Sequence, residues 1–396
     1  MRKRVHSIPI IFILVLILFL AAKQFISDFY YRKTQHDRQE LDRVIGYLEK
    51  CVAIDSRSPL FHFSLGRAYL RKGLAKATNI SEKKRWLRKS IHEFHEAINF
   101  NPVNSDYHFH LGISCGSLAF PPPLYWELIQ NAFRRTAMLN PTDIRHLNSM
   151  GTYYLNEYRR FKNVKQNAEK IGPLNYKKYA ALSRDNYELY FKKLLEVNEE
   201  YLNKIVDHCF SVTQTYPDLR RVIGDVPNDH AFLAHFLNRK GMWEEAKKEF
   251  QLAIEMEPNS SIHYSNYAHA LFRRGDFEQA IQWWQKQKVL DPRNEEPYLS
   301  PVDAFVKLKR FDDALRELRD LMVLYPENIN YRVKLIRILL AARRVDEAID
   351  EYCKMIGNEL HLSKATYDTI RHYQRKGDHQ KVIRILNETL SSALRK

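Results

Sequence analysis

A period of 34 residues in the C-terminal half of this 396-residue chain constrains its fold more than any other feature. The segments that start at residues 241, 275 and 309 read GMWEEAKKEFQLAIEMEP, GDFEQAIQWWQKQKVLDP and KRFDDALRELRDLMVLYP, and they align without a gap. Three kinds of position keep this step: Ala246, Ala280, Ala314 and Ala348; Pro258, Pro292 and Pro326; and the turn positions Gly241, Gly275, Lys309, Arg343 and Gly377. Such a period predicts stacked two-helix units, because one unit alone cannot bury its apolar face.

Each repeated position has a physical reason. A small residue in the middle of the second helix lets the paired helices approach closely, and a large apolar residue four positions later fills the space between them. Glycine at the turn accepts the left-handed conformation that ends the first helix, and proline stops the second helix. The large apolar residues are Phe250, Trp284, Leu318 and Tyr352, and the small residues expected opposite on the first helices are Gly66, Gly112, Gly151, Ala234 and Ala268.

This two-helix unit of 34 residues resembles the tetratricopeptide-repeat (TPR) family, and the resemblance covers most of the chain. It implies an all-α fold, a TPR alpha-alpha superhelix (solenoid), which we expect behind one N-terminal transmembrane helix. The expected domains are a basic cytoplasmic tail (1–7), a transmembrane signal-anchor (8–26), a stalk with a first half-repeat (27–58), an irregular N-terminal array with insertions (59–226) and a regular array of five repeats (227–396).

The N-terminal array fits the same template only with interruptions. An insertion around residues 74–87 divides one repeat, and Pro121-Pro122-Pro123 enlarges a turn in the next. HLNSMGTYYL opens a further repeat, and YLNKIVDHCFSVTQTYP is predicted to be its partner after about forty extra residues. Within that insert, DNYELYFKKLLEVNEEYLNKIV has helical periodicity and no helix breaker, so it predicts one long helix.

The apolar run Ile8–Ala22 follows the cluster Arg2-Lys3-Arg4. The run extends to Ile26 if the charged residue Lys23 is included in it. Its length suits either a cleaved signal peptide or a membrane anchor. No A-x-A cleavage site follows, which favours an uncleaved signal-anchor. The basic tail predicts a cytoplasmic N-terminus and an extracytoplasmic repeat domain, periplasmic in a bacterium, although cations also follow the run. The helix either continues as one rod to residue 54 or breaks near Ser27-Asp28.

Composition and motifs argue against chemistry by the chain itself. No phosphate-binding loop, dinucleotide fingerprint, nucleophile elbow or HExxH is present, so we expect a non-enzyme with no cofactor and no metal site. His92 and His95 lie three residues apart on one helix, but no third ligand accompanies them, which favours surface histidines. Of the four cysteines, Cys51, Cys115 and Cys209 fall at apolar repeat positions, which predicts buried thiols.

A predicted basic stripe on the first helices supplies the candidate binding residues. One residue after the small position come Arg67, His235, His269, Asp303, Arg337 and Arg371; four residues further come Arg71, Arg239, Arg273, Lys307 and Arg375. Both rows share one helical face, which would suit a carboxylate-bearing ligand. The alternative for the second row is a favourable cation in the last turn of each helix. TPR carboxylate clamps combine Lys and Asn; Asn266 is present, but the Lys pattern is absent.

These features predict a membrane-anchored scaffold that binds a protein partner through a basic groove, in a role such as cell-envelope assembly. The formal net charge of +16 favours a partner with an acidic segment. An alternative is direct binding of an acidic polysaccharide or glycolipid; nucleic acid is not the expected partner. An enzyme would need a catalytic cluster within residues 157–203, where no recognisable constellation occurs.

Overall fold

The computed structural model describes residues 7–36, 40–75, 79–118, 123–162, 173–357 and 364–393, and every regular element in these ranges is a helix. The predicted all-α fold is confirmed. The chain divides into two compact units, Met1–Val222 and Ile223–Lys396.

The described residues of the first unit form ten α-helices. They are α1 (Ser7–His36), α2 (Leu41–Ile54), α3 (Pro59–Leu74), α4 (Ile80–Phe100), α5 (Ser105–Gly116), α6 (Pro123–Leu139), α7 (Ile144–Lys162), α8 (Pro173–Val197), α9 (Leu202–Thr213) and α10 (Tyr216–Val222). The first eight pack as four consecutive pairs, α1 with α2 through α7 with α8.

In the second unit, the part of the chain that the structure describes also forms ten α-helices. They are α11 (Pro227–Arg239), α12 (Trp243–Met256), α13 (Ser261–Arg274), α14 (Phe277–Leu290), α15 (Glu296–Lys307), α16 (Phe311–Leu324), α17 (Ile329–Ala341), α18 (Val345–Gly357), α19 (Lys364–Arg375) and α20 (His379–Ala393). They form five consecutive pairs that follow the 34-residue period.

The turn inside each pair of the second unit has the same left-handed backbone. Gly241, Gly275 and Gly377 have φ values of 79°, 91° and 69°. Lys309 and Arg343 occupy the corresponding positions with φ values of 59° and 60°, although they carry side chains. The geometry of this turn is therefore kept even where glycine, the residue that adopts it with least strain, is replaced.

A close contact between a small residue and a large ring joins the two helices of each regular pair in the first unit. A Cβ atom added to Gly112 would lie 2.4 Å from the ring of Phe133, and one added to Gly151 would lie 2.5 Å from Phe191. The repeated alanines of the second unit, such as Ala246 and Ala280, are completely buried. Small residues at these positions are thus required by the close packing of the helices.

The start of the first unit differs from both sequence interpretations of residues 8–54. α1 is helical through Ser27 and Asp28 and ends at His36, so it neither breaks there nor continues as one rod into α2. Ser27 is fully buried, and the Cys51 thiol lies 3.5 Å from its carbonyl oxygen. α2 has an apolar face that needs a partner, and the second half of α1 supplies it. The segment read as half a repeat therefore belongs to a complete helix pair.

The predicted partner of α7 was also wrong. α7 packs along α8, with Phe191 against Gly151, whereas the segment 201–217 forms α9 and the start of α10. The predicted single long helix is interrupted at Asn198, whose side chain accepts a hydrogen bond from the Glu200 amide at the start of a 3-10 turn. Helical periodicity is the same on both sides of such a cap, so it did not reveal the break.

The buried cysteines are confirmed. Cys51, Cys115 and Cys209 are all fully buried, and Cys353 is half-buried. Burial disfavours the thiolate and raises the pKa of Cys51 to about 11 and that of Cys115 to about 12. These thiols act as small apolar groups within the helix pairs.

None of the helices in the described part of the chain combines the length and apolar character needed to cross a lipid bilayer.

Adding a methyl group at Gly112 should destabilise the first unit. The Gly112→Ala side chain would overlap the ring of Phe133, and overpacking of this kind costs about 1–3 kcal/mol. Gly46→Ala is the matched control, because nothing lies within 4 Å of an added Cβ there and alanine favours the helix by about 1 kcal/mol. Urea unfolding monitored by circular dichroism should give opposite signs for the two variants; equal effects would contradict the close packing.

Candidate functional site

All eleven predicted site residues lie on the first helices of their pairs. Arg67 and Arg71 are on α3 in the first unit. The other nine are on α11, α13, α15, α17 and α19 in the second unit: His235, Arg239, Asn266, His269, Arg273, Lys307, Arg337, Arg371 and Arg375.

Two neighbouring helices of the second unit, α11 and α13, bring five predicted residues into one cluster. The imidazole of His235 is hydrogen-bonded to Asn266, and it interacts electrostatically with Arg239, His269 and Arg273. Residues 34 positions apart in sequence therefore lie side by side. We call these five residues the basic cluster.

Burial lowers the pKa of His235, and the charges of Arg273 and Arg239 lower it further, while the hydrogen bond to Asn266 opposes them. The ring also packs edge-on against Phe250, with the centroids 5.0 Å apart. His235 is consequently neutral at neutral pH. It contributes a hydrogen-bonding group to the basic cluster, whereas the fixed positive charge comes from the exposed arginines.

One carboxylate, Glu296 on α15, interrupts the predicted run of positive side chains. One of its oxygens lies 2.7 Å from His269 Nε2 and accepts a hydrogen bond of 2.5 Å from Ser265, and the other accepts one of 3.1 Å from Gln287. Burial alone would raise the pKa of Glu296, but these hydrogen bonds outweigh it and lower the pKa. Sequence reasoning missed Glu296, because an acidic residue at a helix start is ordinary.

Further along the second unit, the predicted face mixes exposed cations with ion pairs. Asp303 forms an ion pair with Lys334 at 3.0 Å, and Arg371 forms one with Asp350 at 3.9 Å. Lys307, Arg337 and Arg375 are exposed. The positive charge of this face is therefore not uniform along the unit.

The two predicted residues of the first unit border an open cavity of about 1050 Å³. Arg67 and Arg71 lie beside an apolar wall contributed by α2 and α3, which includes Leu41, Val44 and Leu70. Arg67 also stacks over Phe63 at 5.6 Å. Guanidinium groups beside an apolar wall can bind a segment that carries both apolar and acidic side chains.

A pair of ionisable residues, each with a buried histidine, recurs at the same register in both units, and the sequence analysis did not identify it. His62 Nδ1 lies 2.7 Å from Glu93, and His230 Nδ1 lies 2.6 Å from Glu249. Each histidine precedes the small residue of its first helix by four positions, and each glutamate directly precedes the large ring of its second helix. This fixed spacing could have revealed the pairs.

The His62 side chain is held by two acceptors. Its Nε2 donates to the Ser56 carbonyl at 3.0 Å, so an ionised Glu93 requires a proton on Nδ1 as well. Burial alone would lower the pKa of His62, but the hydrogen bonds to Glu93 and to the Ser56 carbonyl, together with the negative charges of Glu93 and Glu96, outweigh it, and the pKa is raised.

The two histidines considered as metal ligands both lie on α4. His92 is exposed and His95 is half-buried. Within the described ranges, no group of three or more His, Cys, Asp or Glu side chains is arranged to hold a metal ion.

Sequence profiles of the tetratricopeptide repeat match residues 249–282 and 302–357. Both matches fall on the regular helix pairs of the second unit and keep their 34-residue period. The chain carries tetratricopeptide repeats in these two segments. TPR proteins are generally scaffolds that bind other proteins, and a protein-interaction scaffold is the general role that these repeats support for the present chain.

Solved structures with a similar helix arrangement include MamA (13% identity, 61% of this chain and 93% of that one, TM-score 0.34) and yeast Tom70 (12%, 95% and 99%, 0.32). A tetratricopeptide repeat protein from Parabacteroides merdae also matches (15%, 81% and 99%, 0.32). At these identities and scores the likenesses carry no argument about partners. No curated protein sequence matches this TPR chain.

The His62–Glu93 pair should make the stability of the first unit depend on pH. The pKa of His62 in the folded state is raised above its unfolded value of about 6.5. The pair therefore adds its full contribution to the free energy of unfolding when the pH is below the unfolded pKa. It loses this contribution as the pH rises through the folded-state pKa. His62→Gln should therefore reduce the free energy of unfolding more at about pH 5.5 than at about pH 8.5.

Urea unfolding at the two pH values measures this difference. His92→Gln is the control, because His92 is exposed and its substitution should change stability little at either pH. A loss for His62→Gln that is equal at both pH values, or greater at high pH, would contradict the raised pKa.

Proposed function

We propose that this TPR protein holds an acidic segment of a partner protein against the first-helix face of its second unit, with the basic cluster as the main contact. The observation that carries the proposal is the assembly of His235, Asn266, His269, Arg239 and Arg273 on two adjacent helices. Helices that are already packed lose little further freedom when a ligand binds, which favours association.

The chemistry of the cluster suits a carboxylate-bearing ligand. Arg239 and Arg273 are exposed, and neither forms an ion pair with any residue in the described ranges. An arginine can donate two parallel hydrogen bonds to one carboxylate. Asn266 and the neutral His235 add groups that can orient a backbone or side-chain amide.

The position of Glu296 refines the expected ligand. Its carboxylate is hydrogen-bonded by Ser265 and Gln287 and lies 2.7 Å from His269, and within the described residues it forms no ion pair with either arginine. It does place a negative group beside the cluster. We therefore expect a ligand with separated acidic residues to bind better than a continuous run of negative charge.

We also propose that the apolar start of α1, residues 8–26, is a membrane signal-anchor with the repeats on the extracytoplasmic side, consistent with a role in envelope assembly. In support of this, Phe12, Leu18, Phe19 and Phe25 are each more than 60% exposed. Such a surface is unfavourable in water and suits a lipid environment.

Removing the two arginines of the basic cluster should weaken binding of an acidic partner. For Arg239→Gln with Arg273→Gln, we expect the affinity to fall on the order of tenfold or more, because hydrogen bonds to charged groups contribute about 1.5–3 kcal/mol. The full chain in detergent would be used to select binders from a displayed library of acidic peptides. Binding of the selected peptide to both proteins would then be measured by fluorescence anisotropy.

Lys248→Gln with Arg316→Gln is the matched control, because it removes two exposed cations from second helices. This control should bind the peptide as the wild type does. Equal weakening by both double variants would show a non-specific charge effect and contradict the site. The glycan alternative would be favoured if an acidic polysaccharide bound the wild type more tightly than any selected peptide and did not bind the Arg239→Gln, Arg273→Gln variant.

Charges introduced into the apolar part of α1 should release the protein from membranes. Leu16→Glu with Phe19→Glu places two carboxylates in the proposed anchor, and a charged residue at the centre of a membrane helix costs about 2.5–3.5 kcal/mol. The control is Val289→Glu with Val323→Glu, since both valines are about 80% exposed and lie in the second unit. After alkaline washing of cell membranes, the wild type and the control should sediment, and the α1 variant should not. A wild-type protein in the soluble fraction would contradict the anchor.

A further inference from the structure

A second basic surface lies on the first unit, outside the faces considered so far. It is a pocket of about 530 Å³ between α3 and α4, whose lining includes Tyr69, Ser81, Arg85, Arg88 and Lys89. Arg85, Arg88 and Lys89 provide three cations, whereas Glu93 is the carboxylate among the lining residues.

The helical spacing places these side chains together. Ser81, Arg85 and Arg88 follow one another by four and three residues, so they share one face of α4. Lys89 lies over the ring of Tyr69 at 5.0 Å, which holds its ammonium group at the same pocket. The cations therefore converge on one space rather than projecting in different directions.

The nearby carboxylates already have partners within the protein. Glu93 lies 2.7 Å from His62, and Glu49 accepts a hydrogen bond of 2.6 Å from Tyr69. Glu49 lies 4.0 Å from Lys89, at the limit of an ion pair. Glu82 accepts a hydrogen bond of 3.3 Å from the Trp86 indole.

The two arginines are the unpaired members of the pocket. Arg85 and Arg88 are both exposed, and neither forms an ion pair with a residue in the part of the chain that the structure describes. Two guanidinium groups on adjacent turns of one helix, with a hydroxyl one turn before them, can together donate several hydrogen bonds to one anion.

The geometry points to a binding site for a phosphate-bearing ligand in this pocket, with Arg85 and Arg88 as the principal contacts and Ser81 and Lys89 as further donors. A phosphate group has more than one negative charge and three acceptor oxygens, so it can use all three cations and the hydroxyl at once. A single carboxylate has one charge and two oxygens and would leave part of this donor set unused. The phosphate group belongs either to a small free molecule or to an anionic polymer.

Isothermal titration calorimetry of the full chain with sodium pyrophosphate tests the assignment. Arg85→Gln with Arg88→Gln should weaken pyrophosphate binding by about tenfold or more. The matched control, Arg57→Gln with Lys84→Gln, removes two exposed cations of the same unit that do not line the pocket, and it should bind as the wild type does. Arg85→Lys with Arg88→Lys keeps the charge but not the paired N–H donors of each guanidinium group, and its loss of pyrophosphate affinity should be intermediate.

A parallel titration with long-chain polyphosphate distinguishes the two sources of the phosphate group. If polyphosphate binds more tightly per phosphate group than pyrophosphate does, the site is assigned to a polymer. If the two bind equally per phosphate group, the site is assigned to a small molecule. Circular dichroism of each variant confirms that these exposed substitutions leave the fold intact.

Three results would overturn the assignment. The first is unchanged pyrophosphate binding by the folded Arg85→Gln, Arg88→Gln variant. The second is loss of binding in the Arg239→Gln, Arg273→Gln variant instead, which would place the anion at the basic cluster. The third is binding of citrate or polyglutamate as tight as that of pyrophosphate, which would show a general anion site without preference for phosphate.

Discussion

The contact between a small residue on one helix and a large side chain on the next is the interaction on which the helix pairs depend. Gly66, Gly112 and Gly151 each lie under a phenylalanine ring, so closely that a methyl group would overlap it. This contact also determines where functional side chains are placed. The residue after the small position is turned by about 100° around the helix. It therefore lies beside the contact with the partner helix, where His235 and His269 still touch the rings of Phe250 and Trp284. Arg67, His235 and His269 all occupy that position.

Much of the fold could be predicted from the sequence because the period is long and its fixed positions have simple physical causes. The five pairs of the second unit follow the register of Ala246 and its equivalents, and the turn positions Lys309 and Arg343 adopt the backbone that glycine adopts elsewhere. The errors occurred where the period is interrupted. Helical periodicity could not show that α8 rather than α9 pairs with α7, because both helices have an apolar face and only tertiary packing decides between them.

The candidate site was only partly predictable for a different reason. Register identifies which residues share a helical face, so the proximity of His235, Asn266 and Arg273 followed from the period. The charge of that face depends on residues from other positions, such as Glu296, which reaches His269 from the start of the next pair. The buried His62–Glu93 and His230–Glu249 pairs were missed because each residue alone is unremarkable, and only the structure places the two together.

The two halves of α1 have different environments within one uninterrupted helix. Phe12, Ile13 and the residues from Val15 to Leu20 are exposed, whereas Ser27 and Thr34 are buried. Lys23 forms an ion pair with Asp55. With the proposed anchor, no flexible linker would separate the bilayer from the first repeat. The ion pair would set the turn between α2 and α3 level with the lipid headgroups, so the first unit would be held at a fixed height and tilt. A ligand of the first unit would then have to approach the membrane surface, because the first unit could not swing out to meet it.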